Sequence, residues 1–343
     1  MLHSFSVIAN GPVKCATVDR QTFESTIGSL SQIIADDKRR RDERSSALSG
    51  AGPPLSALKR LGAVNVDEFS STVVCRIEGE GMSGGEPKHA LRVIYKKSVV
   101  EQKHQEALTR EMDLLKSLSK HSQFSNCPSL PSLLSTYSDP QNLYVLYQDP
   151  LSCSLACIGE ELGGKWDDSQ VKHVAMCALL GLEAIHAHGV VYRGVNSESL
   201  VLTESGNVVL SNFQYARQNP EGNVTICGPP EYLAPEVVQQ QGHGAASDLW
   251  QLGVALYELA QGGTPFEAPN ELDVYAKICR HRYGTLGTNL KEGTHLKSKQ
   301  GVKCLQFLEA CIHPDPAMRL TAGAAKKDGW FTSSEWKKLS NPR

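Results

Sequence analysis

Ten cysteines, Cys15, Cys75, Cys127, Cys153, Cys157, Cys177, Cys227, Cys279, Cys304 and Cys311, have the widest chemical repertoire in this chain. Paired at short spacing they would bind zinc or form a redox couple; paired across the fold in an oxidising compartment they would staple it. No Cys-x-x-Cys pair is present, and no second pair stands at zinc-site spacing. They are therefore expected as reduced thiols, most of them buried as small apolar side chains. The other conspicuous group is the charge run DDKRRRDER, Asp36 to Arg44. Its basic centre, Lys38 to Arg41, reads as the solvated face of a helix, with a nuclear-import or partner-binding patch as the alternative.

The chain that must position any site has 343 residues, enough for about two domains. It is 40% hydrophobic and 21% charged, which suits a packed core rather than a disordered tail. A formal net charge of -2 argues against a general nucleic-acid or membrane-surface binder, which carries a basic excess. The longest apolar run, Val174 to Leu182, falls well short of the ~20 residues a membrane-spanning helix needs. The N-terminal MLHSFSVIANGP lacks a basic region followed by an apolar one, so no secretory signal is expected and the location is read as cytoplasmic, with the nucleus open.

Residues 1–35 read as two short strands around Gly11-Pro12 and a helix over Thr22 to Ile34, with Phe23, Ile27, Leu30 and Ile34 at helical spacing. Residues 36–60 read as a linker ending in SSALSGAGPP. From residue 61 to about 150 the pattern is β-rich. Strands are expected at Ser71 to Ile77, Ala90 to Ile94 and Leu143 to Tyr147, with one long helix from Glu101 to Leu118. Helices dominate beyond residue 168, most clearly Ser169 to His188 and Ala246 to Gly262. Strands first and helices later predict an α+β molecule of two lobes joined near residue 148.

Four segments then become specific: VVYRGVNSESLVL (190–202), NVVLSNFQYAR (207–217), CGPPEYLAPEVV (227–238) and ASDLWQLGVALYELAQGGTPF (246–266). In this order they resemble the catalytic loop, metal-binding loop, activation segment and central helix of protein kinases, most nearly the cyclic-nucleotide-dependent ones. The resemblance covers residues 61 to about 331 and implies a bilobal kinase-like fold with a β-rich N-lobe and a helical C-lobe. Residues 332–343 are left as a short tail. Residues 6–30 more weakly resemble the end of a cyclic-nucleotide-binding domain, so a short remnant of one is expected before the linker. His3 falls near the position of an arginine that pairs the cyclic phosphate, and most of that cassette is expected before Met1.

The resemblance also implies what should do the chemistry, and several of those positions depart from the family. Phosphoryl transfer is mostly positioning and electrostatics, so it needs a few particular charges. The Gly-rich loop is reduced to Gly62 in LGAVNVDEFSSTVV, with Asp67 and Glu68 nearby, and reads as an ordinary hairpin. The phosphate-gripping lysine becomes Arg92, and Glu111 matches its partner on the following helix. Pro150 falls where the hinge offers an N–H to adenine, and proline has none. Gly194 replaces the aspartate that orients the substrate hydroxyl, Asn196 the lysine after it, and Ser199 the asparagine that holds the second Mg²⁺. Asn212-Phe213-Gln214 replaces Asp-Phe-Gly, which removes the main protein charge on the metal. Loss of a positioned base costs ~10²–10⁴-fold. Loss of metal-centred stabilisation worth several kcal/mol costs roughly 10³-fold more.

The fold-holding positions are kept. Glu236 and Arg319 match a buried ion pair, Asp248 matches the anchor of the catalytic-loop backbone, and Leu115, Leu133, Tyr192 and Phe213 match the apolar spine between the lobes. Thr225 matches an activation-loop phosphosite, with Arg193 and Arg217 as phosphate-pairing bases. Glu198 and Glu258 match carboxylates that take the arginines of basic substrates, with Ile226, Pro230 and Leu233 lining the adjoining apolar pocket. Pro229 replaces a threonine.

These positions lead to the expectation of a catalytically inactive kinase fold, a scaffold, decoy or allosteric partner in cyclic-nucleotide signalling. It would bind a kinase, a regulatory subunit or a basic peptide, but no nucleic acid and no membrane. No cofactor is expected; ATP and Mg²⁺ are weak candidates. The alternatives are a slow serine/threonine kinase acting on basic peptides, and a metal-independent ATP sensor.

Overall fold

The computed structural model describes residues 52–66, 69–78, 88–161, 166–218, 224–242, 244–298 and 301–340. The chain divides between residues 50 and 51. The expected strands and helix of residues 1–35, and the charge run, lie outside the described residues.

The first half is built on a five-stranded antiparallel sheet in the order β1-β2-β3-β5-β4. Its strands are β1 (Leu58–Val66), β2 (Ser70–Ile77), β3 (Lys88–Tyr95), β4 (Leu133–Ser138) and β5 (Asn142–Tyr147). The stretch read as a degenerate Gly-rich loop is thus the β1–β2 hairpin, with Gly62 opposite Val74. Both faces of the sheet are apolar. Cys75, Leu91, Val93, Tyr144 and Leu146 pack on one side, and Ala90, Ile94, Val145 and Tyr147 on the other. The two-residue period of a strand puts Arg92 on the Ala90 and Ile94 side.

That side is covered by helix. The helix expected over Glu101 to Leu118 is α2 (Gln105–Leu118), and a short α1 (Lys96–Glu101) that the sequence reading did not expect precedes it. Lys103, at φ 57, breaks the run, and the N–H groups of Lys103 and His104 turn back to the carbonyls of Val100 and Val99. The left-handed residue redirects the chain so that α2 lays Met112 and Leu108 on the sheet. A left-handed lysine costs of order 1–2 kcal/mol, and the burial of that helix face offsets it. The short α3 (Ser122–Ser125) follows and buries Phe124.

Beyond β5 come β6 (Leu151–Ser154), α4 (Leu155–Glu161) and α5 (Asp168–His186). Asp167 caps α5 in a box with Gln170, each side chain accepting the other's backbone N–H. The loop strands β7 (Val190–Val191), β8 (Leu200–Thr203), β9 (Val208–Leu210) and β10 (Arg217–Gln218) form two small sheets, β6-β8-β9 and β10-β7. Then follow α6 (Pro235–Val238), α7 (Ala245–Gln261), α8 (Glu271–Arg280), α9 (Gly301–Cys311), α10 (Ala322–Ala325) and α11 (Ser333–Ser340). α7 is buried almost all round and ends at Gly262, whose φ of 72 only glycine adopts freely. The fold is therefore α+β, with a β-sheet lobe first and a helical lobe after it. Among the described residues, no helix is long and apolar enough to cross a membrane. No described cysteine is in a disulfide, and Cys75, Cys177, Cys304 and Cys311 are buried.

One buried histidine ties the helical lobe to pH. His281 follows α8 and sits edge-on to the stacked rings of Trp250 and Phe266. Burial, then the neighbouring Arg282 and His313, push its pKa from 6.5 down to about 4. Between those values the unfolded chain binds a proton that the folded chain does not. Its stabilising contribution is therefore full above pH 6.5 and falls as the pH drops towards 4, by up to about 3 kcal/mol. Chemical denaturation of His281→Leu should show a flatter stability profile across that window. Parallel profiles for the two proteins would refute this origin.

Candidate functional site

The cleft between the lobes is a cavity of about 240 Å³ whose walls include Arg92, Tyr147, Gly194, Glu198, Ser199 and Asn212. Residues far apart in sequence converge there for reasons visible in each element. Arg92 projects from β3 towards α2, and its Nη1 lies 3.0 Å from Glu111 Oε1. The pair is nearly dry, with side-chain exposures of 11% and 2%, so removing either partner would strand a charge. Glu111 Oε1 also accepts the backbone N–H of Phe213 at 3.3 Å, and Arg92 Nε donates to Ser70. One carboxylate thus fixes the helix, the sheet and the loop that carries Asn212.

Asp248, fully buried on α7, holds the catalytic loop. Its two oxygens accept the backbone N–H groups of Arg193 at 2.6 Å and Tyr192 at 2.8 Å, and His186 Nε2 lies 2.7 Å away. This clamp keeps Arg193 at φ 66, a conformation costly for a residue with a Cβ. The backbone N–H of Asn212 donates to the Tyr192 hydroxyl. Tyr192 packs edge-on against Phe213, and both share a core with Leu115. Leu133, the fourth spine position, packs instead in the cluster under the sheet.

The polar groups at the metal positions are already engaged. Asn212 Oδ1 accepts the Gln214 N–H at 3.1 Å. Ser199 Oγ donates to the Asn196 carbonyl and accepts its N–H, while Asn196 Oδ1 accepts the Ser199 N–H. Asn212 brings no charge and the Ser199 hydroxyl is spent on backbone, so the two positions give Mg²⁺ none of the charged oxygens it favours and do not fit it as a pair. At Gly194 there is no side chain to orient a hydroxyl.

The hinge shows a feature that the sequence did not reveal. His89 Nδ1 donates to the Gln148 carbonyl at 2.9 Å, and Pro150 follows two residues later. Both edges of this backbone stretch are thus withdrawn, the carbonyl by histidine and the N–H by proline. The back wall is Tyr147, whose hydroxyl burial pushes up to about 12. Position in β5 was legible beforehand; the His89 contact depends on the β3–β5 pairing.

Below the cleft, Arg193 Nη2 donates to the Thr225 carbonyl at 2.8 Å and lies 3.0 Å from Cys227 Sγ. Its Nε and Nη1 have no hydrogen-bond partner among the described residues. Arg217 donates to the Gln214 and Ala216 carbonyls. Burial, then the charges of Arg110 and Arg193, lower its pKa, which places three guanidiniums in one neighbourhood. Thr225 and Ile226 are exposed beside it.

The two proposed docking carboxylates have different surroundings. Glu198 is exposed on the cleft wall. Glu258 is largely covered, accepts the Tyr232 hydroxyl, and is raised in pKa chiefly by burial. Leu233 is buried and Pro230 half-buried, so Ile226 alone of the three apolar groove residues is exposed.

A model of the protein kinase domain matches residues 82–331. The chain is 27% identical over 366 residues to cGMP-dependent protein kinase, isozyme 1, of Drosophila melanogaster, covering 98% of this chain and 44% of that protein. It is 28% identical over 363 residues to cGMP-dependent protein kinase egl-4 of Caenorhabditis briggsae, covering 97% and 45%. It is 27% identical over 319 residues to human cGMP-dependent protein kinase 2, covering 81% and 39%. The chain thus spans less than half the length of these relatives. The expectation that it is not an enzyme is overturned, because the matching family and every one of these relatives bear the name of protein kinase. With its sheet lobe, its helical lobe and a family match over most of its length, the chain belongs to the protein kinase family.

Proposed function

We propose that this chain is a slow serine/threonine protein kinase of the cyclic-nucleotide-dependent group, working in the cytoplasm and transferring the γ-phosphate of ATP to basic peptides. The observation that carries this reading is the Arg92–Glu111 pair at 3.0 Å, held in turn to the Phe213 backbone. It keeps a permanent cation on the wall of an assembled cleft, where a triphosphate would find its counter-charge. In the reaction the bond from the γ-phosphorus to the β-phosphate oxygen breaks as one forms to the serine oxygen. The hydroxyl proton passes to solvent or to the transferred phosphate, because position 194 offers no carboxylate.

Rate follows from this inventory. Kinases turn over at ~1–100 s⁻¹, a missing base costs ~10²–10⁴-fold, and lost metal-centred stabilisation costs roughly 10³-fold more, so the expected rate is about 10⁻³ s⁻¹ or lower. Exposed Glu198 offers a basic peptide its counter-charge, whereas Glu258 contributes less because it is covered by Tyr232. Phosphate on Thr225 would add a charge of about −1.5 to −2 next to the Arg193, Arg217 and Arg110 guanidiniums and order the segment.

The test is radiolabelled phosphate transfer from ATP to a basic serine peptide by the purified chain, with and without Mg²⁺. Slow incorporation that Arg92→Ala abolishes supports the reading. Incorporation equal in the two proteins, or absent from both, sinks it. Saturable ATP binding without transfer would instead favour a nucleotide sensor.

A further inference from the structure

Away from the cleft, three side chains that share no sequence motif converge in the helical lobe. Asp168 lies in the first turn of α5, His295 opens the short 3₁₀ turn His295–Lys297, and Cys304 lies in α9. Their ligand atoms, one carboxylate oxygen, one imidazole nitrogen and one sulfur, all lie within 4.8 Å of one another. We propose that Asp168, His295 and Cys304 form a zinc-binding site that ties the start of α5 to α9.

The imidazole is set up for it. His295 Nδ1 lies 2.9 Å from the Trp166 carbonyl, so that nitrogen carries the proton and donates it. The lone pair is then on Nε2, which is buried without a hydrogen-bond partner among the described residues. A histidine whose second nitrogen donates to a backbone carbonyl, leaving the first free, is the usual arrangement around a ligated metal. The carboxylate is oriented in the same way, since Asp168 Oδ1 accepts the Trp330 indole N–H at 3.0 Å.

Charge and donor type select the ion. A thiolate, a carboxylate and a neutral imidazole sum to minus two, which a divalent cation neutralises. Sulfur and imidazole nitrogen suit zinc and exclude the oxygen-seeking Mg²⁺ and Ca²⁺. Lys172, 3.6 Å from Asp168, has Glu335 at 3.4 Å as a second counter-ion, so its charge stays partnered when the metal takes the aspartate. Bonds of about 2.0–2.3 Å in a tetrahedron bring the ligand atoms to within roughly 3.3–3.8 Å of one another, so closure requires side-chain shifts of about one ångström. An open cavity bounded by Lys172, Lys303 and Trp330 adjoins Asp168, and a water molecule would be the fourth ligand.

The full chain is titrated with Zn²⁺ against a chromophoric chelator, and with Co²⁺ as a spectroscopic stand-in. One equivalent of zinc should bind with a Kd below about 1 µM, the usual strength of a metal that contributes to folding. Co²⁺ should give thiolate-to-metal charge-transfer absorption. Cys304→Ser should abolish that band, His295→Gln should weaken zinc uptake at least tenfold, and Trp330→Phe should weaken it about tenfold through the freed carboxylate. Metal-free thermal unfolding of each variant shows whether it still folds. If Cys304→Ser does not fold, the more accessible His295→Gln decides. Uptake unchanged in His295→Gln, a cobalt band that survives in Cys304→Ser, or no zinc bound by the parent chain would each overturn the proposal.

Discussion

Gly194→Asp combined with Asn212→Asp should raise phosphate transfer to a basic serine peptide by about 10²–10⁴-fold over the parent chain, the usual worth of a positioned base. The backbone is ready for both changes. A Cβ built on Gly194 meets Tyr215 Cδ2 at 3.2 Å and the Tyr192 ring at 3.8 Å. Tyr215 is only half-buried, so its ring can yield the few tenths of an ångström required. Asn212 to Asp is isosteric, and the bond that Asn212 Oδ1 accepts from the Gln214 N–H suits a carboxylate equally. The first change supplies an acceptor for the hydroxyl proton, and the second restores a charged oxygen at the metal position. Residues that act as a unit are not additive, so each single variant should gain less than its share of the pair. The measurement is kcat for the parent, both singles and the double. A double variant that folds and transfers no faster than the parent would put the barrier elsewhere. The hinge would then be the place to look, where His89 takes the Gln148 carbonyl and Pro150 lacks an N–H.

Much of this site was legible before the structure because kinase chemistry rests on charges at fixed places along the chain. Arg92 and Glu111 were paired from the resemblance and do meet; so do Glu236 with Arg319, and Asp248 with the Tyr192 and Arg193 backbone. Each of these contacts is made by a residue type that has few other uses in a core. What was not legible was decided by tertiary geometry. The helix expected from Glu101 begins only at Gln105, because the chain turns at Lys103, at φ 57, before it. The lock on the hinge carbonyl needs the pairing of β3 with β5 to bring His89 beside Gln148. Asp168, His295 and Cys304 escaped because a search for closely spaced cysteines cannot find ligands on three separate elements. The inference of an inactive fold failed for a different reason. It weighed the departures at the site alone, whereas the matching family and the relatives, all named protein kinases, point to an enzyme.

Breaking the Glu236–Arg319 pair should have the largest effect on stability. Arg319 Nη1 and Nη2 donate to the two Glu236 oxygens at 2.8 and 3.1 Å, with exposures of 0% and 8%. Arg319→Leu leaves that carboxylate buried and unpaired, which costs about 3–5 kcal/mol. At roughly 2–4 °C per kcal/mol for a domain of this size, Tm should fall by about 6–20 °C. Glu236→Gln should cost less, because its amide oxygen still accepts from Arg319 and from the Ser247 hydroxyl, which now donates at 2.9 Å. The double variant Glu236→Leu with Arg319→Leu separates two origins of the loss. If the unpaired charge dominates, the double should be more stable than Arg319→Leu alone, since a buried pair replaced by apolar residues is often nearly neutral. Recovery should be incomplete, because Arg319 also donates to the His313 and Ala246 carbonyls and lies 5.2 Å over the Trp250 ring. A double variant no more stable than Arg319→Leu would mean that those carbonyls, not Glu236, are what the arginine serves. The pair anchors α6 at the end of the segment that carries Thr225 and Leu233. Its loss should therefore slow peptide phosphorylation at temperatures well below the new Tm, where bulk unfolding contributes nothing.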